Sequence, residues 1–184
     1  MSESIRSKNV SAKNKMPRRL LFCLPMLLLL AGCAGYQLGP SNGMRAGEKS
    51  VQINPFINET LEPRLIEPIT LAMRKQVQQD GTYKLATQGD GDLILNGVVT
   101  QYDRKPVAFQ SRDVATVRDY YLTITARIVA TERATGKTNS NQIIRGRTTV
   151  RVGNDLASAE RQAIPLVAAD LARNAVAAIA DGTW

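Results

Sequence analysis

Cys33 is the residue whose type and setting point most directly to a covalent chemistry. It closes the run Leu30-Ala31-Gly32-Cys33, which follows Arg18, Arg19 and an apolar stretch from Leu20 to Leu30. Basic, then apolar, then small residues is the order in which a secretory signal ends, and a cysteine placed next is positioned to carry lipid. The stretch has eleven residues and contains Pro25. At about 1.5 Å per helical residue it covers roughly half of a ~30 Å hydrocarbon core, so it reads as a signal and not as a spanning helix. Ala31 and Gly32 leave room for a peptidase to reach the bond before Cys33.

This segment resembles the lipobox of bacterial lipoproteins, in which the thiol receives a diacylglyceryl group and the freed amine is acylated. The resemblance implies residues 1–32 as a removable signal peptide and a mature chain that starts at Cys33 with three acyl chains. Stable anchoring needs two, so three hold firmly. Ala34 stands where the enterobacterial sorting pattern would place Asp to retain the protein, which implies export onward to the outer membrane. Met1 and Met16 are alternative starts, and an ordinary signal with an incidental cysteine is the alternative reading of the segment.

Composition narrows what the rest can do. Six of the 24 lysines and arginines and one of the 16 acids lie in residues 1–32, so the remainder carries a net +3 rather than +8. That argues against nucleic acid as a partner, which calls for a clustered basic surface. The chain has no histidine, which removes the usual general base, the usual metal ligand and every Ser-His or Cys-His nucleophile. Cys23 would leave with the signal and Cys33 would hold a thioether, so no disulfide forms within one chain. We expect no enzyme, no metal and no cofactor; catalysis would have to rest on carboxylates, Lys or Tyr alone, and no pocket pattern supports a carboxylate pair.

Three short motifs are better read as structure. Gly136-Lys137-Thr138 lacks the earlier glycine of a phosphate-binding loop and lies between strand patterns, so it is a hairpin turn. Asp90-Gly91-Asp92 lacks the further oxygen ligands and closing Glu of a calcium loop, so it is also a turn. Asn58-Glu59-Thr60 matches a glycosylation sequon, but a helix cap explains it.

These residues must be positioned by a small set of elements. Residues 33–49 are rich in Gly, Pro, Ser and Asn and read as a lipidated tether; residues 50–184 read as one domain. Val51 and Ile53 begin a strand that Pro55 ends or confines to an edge. Asn58 or Thr60 can cap a helix with Glu62 and Pro63 in its first turn, and Leu61, Leu65, Ile69, Met73 and Val77 recur at helical spacing up to Asp80-Gly81. Pro68 either kinks that helix or marks its real start. Tyr83, Leu85 and Thr87 alternate as a short strand. In residues 93–103, Leu93, Leu95, Gly97 and Val99 share one face, and Asn96, Thr100 and Tyr102 the other. Residues 104–113, with Arg104, Lys105, Pro106 and Arg112, read as a basic loop or bent hairpin connection.

Two segments alternate most regularly. Tyr120, Leu122, Ile124, Ala126 and Ile128 fall opposite Tyr121, Thr123, Thr125 and Arg127. Ile144, Gly146, Thr148, Val150 and Val152 fall opposite Arg145, Arg147, Thr149 and Arg151. A last helix runs from a cap at Asp155 to about Ala180, with a stripe of Leu156, Ala159, Ala163, Val167, Leu171, Ala175, Val176 and Ile179 and a bend or break at Pro165. The sum is an α+β two-layer sandwich: a four- to five-stranded, mainly antiparallel sheet with two amphipathic helices on one face. The other face carries Arg127, Arg145, Arg147 and Arg151, placed to meet glycolipid phosphate or a partner's polar wall. A solvated outer face is the plain alternative.

Several landmarks together resemble one family. Cys33 followed by Gly35-Tyr36-Gln37-Leu38, Phe56-Ile57-Asn58-Glu59-Thr60 before the first helix, Asp92-Leu93-Ile94-Leu95-Asn96-Gly97, and Glu160-Arg161-Gln162-Ala163 in the last helix are similar in order and spacing to the lipopolysaccharide-assembly lipoproteins, LptE. The resemblance implies a lipid-anchored protein on the periplasmic face of the outer membrane. It further implies a domain that plugs the lipopolysaccharide export β-barrel of LptD type, aids that barrel's assembly and contacts lipopolysaccharide in transit, with no catalysis. A membrane-anchored periplasmic adaptor or binding accessory of another envelope transport system is the alternative.

Overall fold

A computed structural model describes residues 45–181 apart from 111, 112 and 154. Cys33, the signal, most of the tether and Arg112 lie outside the described residues. The elements are β1 (Ser50–Ile53), β2 (Ile57–Asn58), α1 (Ile66–Asp80), β3 (Lys84–Ala86), β4 (Leu93–Gln110), β5 (Asp113–Glu132), β6 (Thr138–Arg151) and α2 (Leu156–Ala180).

The strands form one six-stranded mixed sheet in the order β3-β1-β4-β5-β6, with β2 also paired to β4. β1 and β2 both run parallel to β4, at Val51↔Leu93 and Ile57↔Val98. Pro55, which has no N–H to donate, lies in the gap between them. β1, α1 and β3 form a crossover unit, and β3 accordingly lies parallel to β1. The three long strands are antiparallel neighbours. The α+β two-layer arrangement stands as expected, with one strand more than foreseen and parallel pairing at the β3 side.

Both helices pack on one face of this sheet and share a single core with it. Leu122, Ile124, Ala126 and Ile128 of β5 and Leu93, Leu95 and Val99 of β4 are buried against Leu65, Ile69, Met73 and Val77 on the α1 side, and Val167, Leu171, Ala175 and Val176 of α2. The alternation in the sequence is the cause: period two for the strands, three to four for the helices. α2 comes closest to the sheet at Gly146, where an added Cβ would lie 2.6 Å from the Val167 carbonyl oxygen. The ring of Phe56 occupies the space over Gly97 in the same way.

Helix ends follow local chemistry. Asp155 caps α2, its carboxylate accepting from the N–H groups of Ala157 at 3.1 Å and Ser158 at 3.0 Å. Gly81 closes α1 at a φ of 74°, donating its N–H to the Val77 carbonyl.

Four expectations need correction. α1 starts at Ile66, not in the turn of Glu62 and Pro63, and of the two readings of Pro68 the second holds: it marks the real start, in the first turn, where its missing N–H costs no helical bond. Asn58 and Thr60 instead organise the preceding loop: Asn58 Nδ2 donates to the Glu62 carbonyl and Asn58 Oδ1 accepts from Thr60. Leu61, outside the helix, is fully exposed. α2 is one helix through Pro165, so the break expected there does not occur. Residues 104–110 are strand, not loop: Arg104 pairs with Leu122 and Pro106 with Tyr120, and beyond Asp119, where the β6 pairing ends, β4 and β5 continue as a two-stranded hairpin.

The fourth correction concerns Tyr102. A register shift between Val99 and Gln101 inserts an extra residue, a β-bulge, and reverses the side-chain phase beyond it. Tyr102 therefore packs against the core and does not share a face with Asn96. There its hydroxyl has no hydrogen-bond partner among the described residues. Burial first, and then the neighbouring Glu160 carboxylate, push its pKa up to about 12.

Candidate functional site

Among the described residues no element packs on the face of the sheet turned away from the helices. β5 brings Tyr121, Thr123, Thr125 and Arg127 to it, and β6 brings Ile143, Arg145, Arg147, Thr149 and Arg151. The register sets these side by side: Thr123↔Arg147, Thr125↔Arg145, Arg127↔Ile143 and Asp119↔Arg151. All four arginines expected at a contact site thus lie on one surface, as the alternation implied.

They are not equivalent. Arg151 Nε donates to Asp119 Oδ1 at 3.1 Å, and Arg118 Nε donates to Asp119 Oδ2 at 3.0 Å. Asp119 is buried between them; burial pushes its carboxyl up, but the bonds from Arg151 and Arg118 outweigh that and hold it below the usual carboxylate range. Arg147 lies with its guanidinium carbon 4.5 Å from the centroid of the Tyr121 ring, a cation–π stack. Both groups are already committed within the fold.

Arg127 and Arg145 are arranged differently. They flank a hollow of about 360 Å³ whose other walls are Thr100, Gln101, Thr125 and Ile143. Thr125 is only 4 % exposed at its base, and its carbonyl accepts from Thr100 Oγ1 at 3.3 Å. Among the described residues no carboxylate pairs with the side chain of either arginine. A larger hollow, about 1000 Å³ and including Pro68, Leu71 and Pro165, lies between the helices in the other layer. It contains none of the four arginines.

Side chains from α2 finish the β6 edge next to this site. Asp170 accepts the Arg147 main-chain N–H at 2.9 Å, and Asn174 Nδ2 donates to the Arg145 carbonyl at 2.8 Å. Burial raises the Asp170 carboxyl, but the bonds from the Arg147 N–H and from Arg173 prevail and lower it overall. An edge strand with satisfied backbone groups is a poorer template for stray pairing, so these two contacts keep the arginines in place and blunt the edge.

Sequence reasoning missed Asp119, the Tyr121 stack and the Asp170–Asn174 clasp. The signal for Asp119 was present: counting outward from the Thr135-Gly136-Lys137 turn brings positions 119 and 151 to within two residues of each other, on the same face of the sheet. The clasp needed knowledge of where α2 crosses the sheet. The remaining motifs are structural as expected. Asp92 accepts from the Ser50 N–H and hydroxyl, Arg133 binds the carbonyls of Gly89 and Gly91 and the Gln52 side chain, and Gly136 turns the β5–β6 hairpin at a φ of 68°. Among the described residues no three metal-ligating side chains come together.

A family model described as LptE, Lipopolysaccharide-assembly, matches residues 48–179. No curated protein sequence matches the chain. Solved structures share the fold. The DUF330-family protein of Xanthomonas campestris is 9 % identical with a TM-score of 0.54, over 78 % of this chain and 91 % of that one. A hypothetical protein from Chlamydia trachomatis is 9 % identical with a TM-score of 0.51, over 71 % and 95 % of the two chains.

Proposed function

This chain belongs to the LptE lipopolysaccharide-assembly family, and from that membership we propose that it is an outer-membrane lipoprotein that plugs the lipopolysaccharide export β-barrel and assists its assembly. Acyl chains on Cys33 fix it at the inner leaflet of that membrane, on the periplasmic side. The helix layer and its core keep the domain rigid, and the bare sheet face contacts the barrel's polar lumen wall and lipopolysaccharide in transit. The chemistry is positional, with no bond made or broken.

The observation that supports this reading best is the match over residues 48–179, joined to a sheet face that carries arginine, threonine and tyrosine beside an exposed Ile143. Barrel lumens are polar, and arginine forks suit phosphate oxygens. Co-purification from solubilised outer membranes tests it. An LptD-type barrel should accompany the lipoprotein, and depletion should hold lipopolysaccharide back in the periplasm; a lipoprotein recovered without a barrel, in cells that export normally, overturns the proposal. Labelled palmitate tests the anchor: the native chain should incorporate it, Cys33→Ala should not, and equal labelling removes the anchor.

A further inference from the structure

We propose that Arg127 and Arg145, with the hollow between them, form one oxyanion site that grips a phosphoryl group of lipopolysaccharide, while Arg147 and Arg151 serve the fold. This rests on the glycolipid contact proposed above and narrows it to one pair.

Three features carry it. First, the register places Arg127 and Arg145 diagonally across β5 and β6, where Cα atoms are about 7–8 Å apart. Two long side chains at that spacing can converge on one phosphate, each presenting a planar fork of donors. Second, neither guanidinium meets a carboxylate among the described residues, whereas Arg151 is held by Asp119 and Arg147 lies on Tyr121. Two unneutralised like charges on neighbouring positions repel, and a dianion between them removes that repulsion. Third, the space between them is a hollow floored by Thr100, Thr125 and Gln101; the Thr100 hydroxyl is spent on the Thr125 carbonyl, and the Thr125 hydroxyl and Gln101 amide can donate to the oxygens that the arginines leave free. The adjoining Ile143 is 59 % exposed and offers an apolar shoulder beside the anion, as a ligand that is both phosphorylated and acylated requires.

The alternative is that any two arginines on this face attract anions equally through net charge. Two double variants separate the cases, because each removes two positive charges from the same surface. Full-length lipoprotein in detergent is titrated calorimetrically with inorganic pyrophosphate as the probe, and its retention of phosphorylated and enzymatically dephosphorylated lipopolysaccharide is compared. Arg127→Gln with Arg145→Gln should weaken pyrophosphate binding at least about tenfold, the scale of a lost charge-assisted hydrogen bond. Arg147→Gln with Arg151→Gln should stay within about twofold. Arg127→Lys with Arg145→Lys, which keeps the charge and loses the forks, should fall between them and serves if the first variant does not fold by circular dichroism.

Equal weakening by both glutamine pairs, no weakening by the Arg127 and Arg145 pair, or no binding by the native chain each overturns the site. Lipopolysaccharide retained equally with and without its phosphates overturns the site and leaves the proposed function standing. Pyrophosphate bound at this pair with no lipopolysaccharide retained overturns the glycolipid reading and leaves an oxyanion site.

Discussion

The two faces of the β5–β6 sheet are built from the same strands and do opposite work. Toward the helices the residues are Leu122, Ile124, Ala126, Ile128 and Val150, all buried, with Gly146 letting α2 come close. Away from the helices they are mainly tyrosine, threonine and arginine, with Asp119 and Ile143 among them. Burial of apolar area gives the first face its energy, about 1.5–3 kcal/mol for each large side chain. Exposed ion pairs on the second contribute about 0–1 kcal/mol. Stability and recognition are thus carried on opposite sides of one layer, and a change on one face should leave the other nearly untouched.

The largest effect is expected from the buried side. Leu171→Ala, which empties a position fully enclosed between α2 and the sheet, should lower unfolding free energy in urea by about 2–5 kcal/mol. Gly146→Ala follows, at about 1–3 kcal/mol, because the new methyl meets the backbone of Val167 and Leu171. Asp170→Ala should cost less, about 1 kcal/mol, by freeing the Arg147 N–H at the edge. Smallest is Arg127→Gln with Arg145→Gln, whose midpoint should shift by no more than about 0.5 kcal/mol. A stability loss from that pair equal to the loss from Leu171→Ala would break the division between faces.

Acid sharpens the comparison further. Asp119, Asp155 and Asp170 all have carboxyls held below their ordinary range in the folded chain. A group whose folded pKa is depressed adds stability above its unfolded pKa, near 4, and loses it as pH falls through the lower folded value. Unfolding followed by circular dichroism should therefore show stability flat above about pH 5 and falling below about pH 4. Asp119→Asn should flatten part of that fall, since the protonated and amide forms are alike in charge.

The division between faces was legible wherever alternation ran uninterrupted. The inward and outward sets of β5 and β6 followed from period two alone, and Asp155 followed from its place just before an apolar stripe. Tyr102 did not, because one bulge after Val99 reverses the side-chain phase as far as the next register shift, past Pro106, and leaves no mark in composition. The hairpin arm around Pro106 was missed for a different reason: its register slips again between Pro106 and Gln110, so no period-two pattern runs through it. The parallel pairing of β1 and β3 depends on the crossover through α1, which short strands do not encode. The four arginines were legible as a surface but not as two pairs, since their partners are set by register and by where α2 crosses the sheet.

The most direct test places one photoreactive residue at Ile143, on the bare face, and another at Leu166, on the helix layer. These positions are 59 % and 61 % exposed, so accessibility does not distinguish them. Cross-linking in intact cells should attach lipopolysaccharide or the barrel to the residue at 143 and to a much smaller degree at 166. Cross-links formed chiefly from 166 would mean that the helices, and not the arginine face, meet the partner.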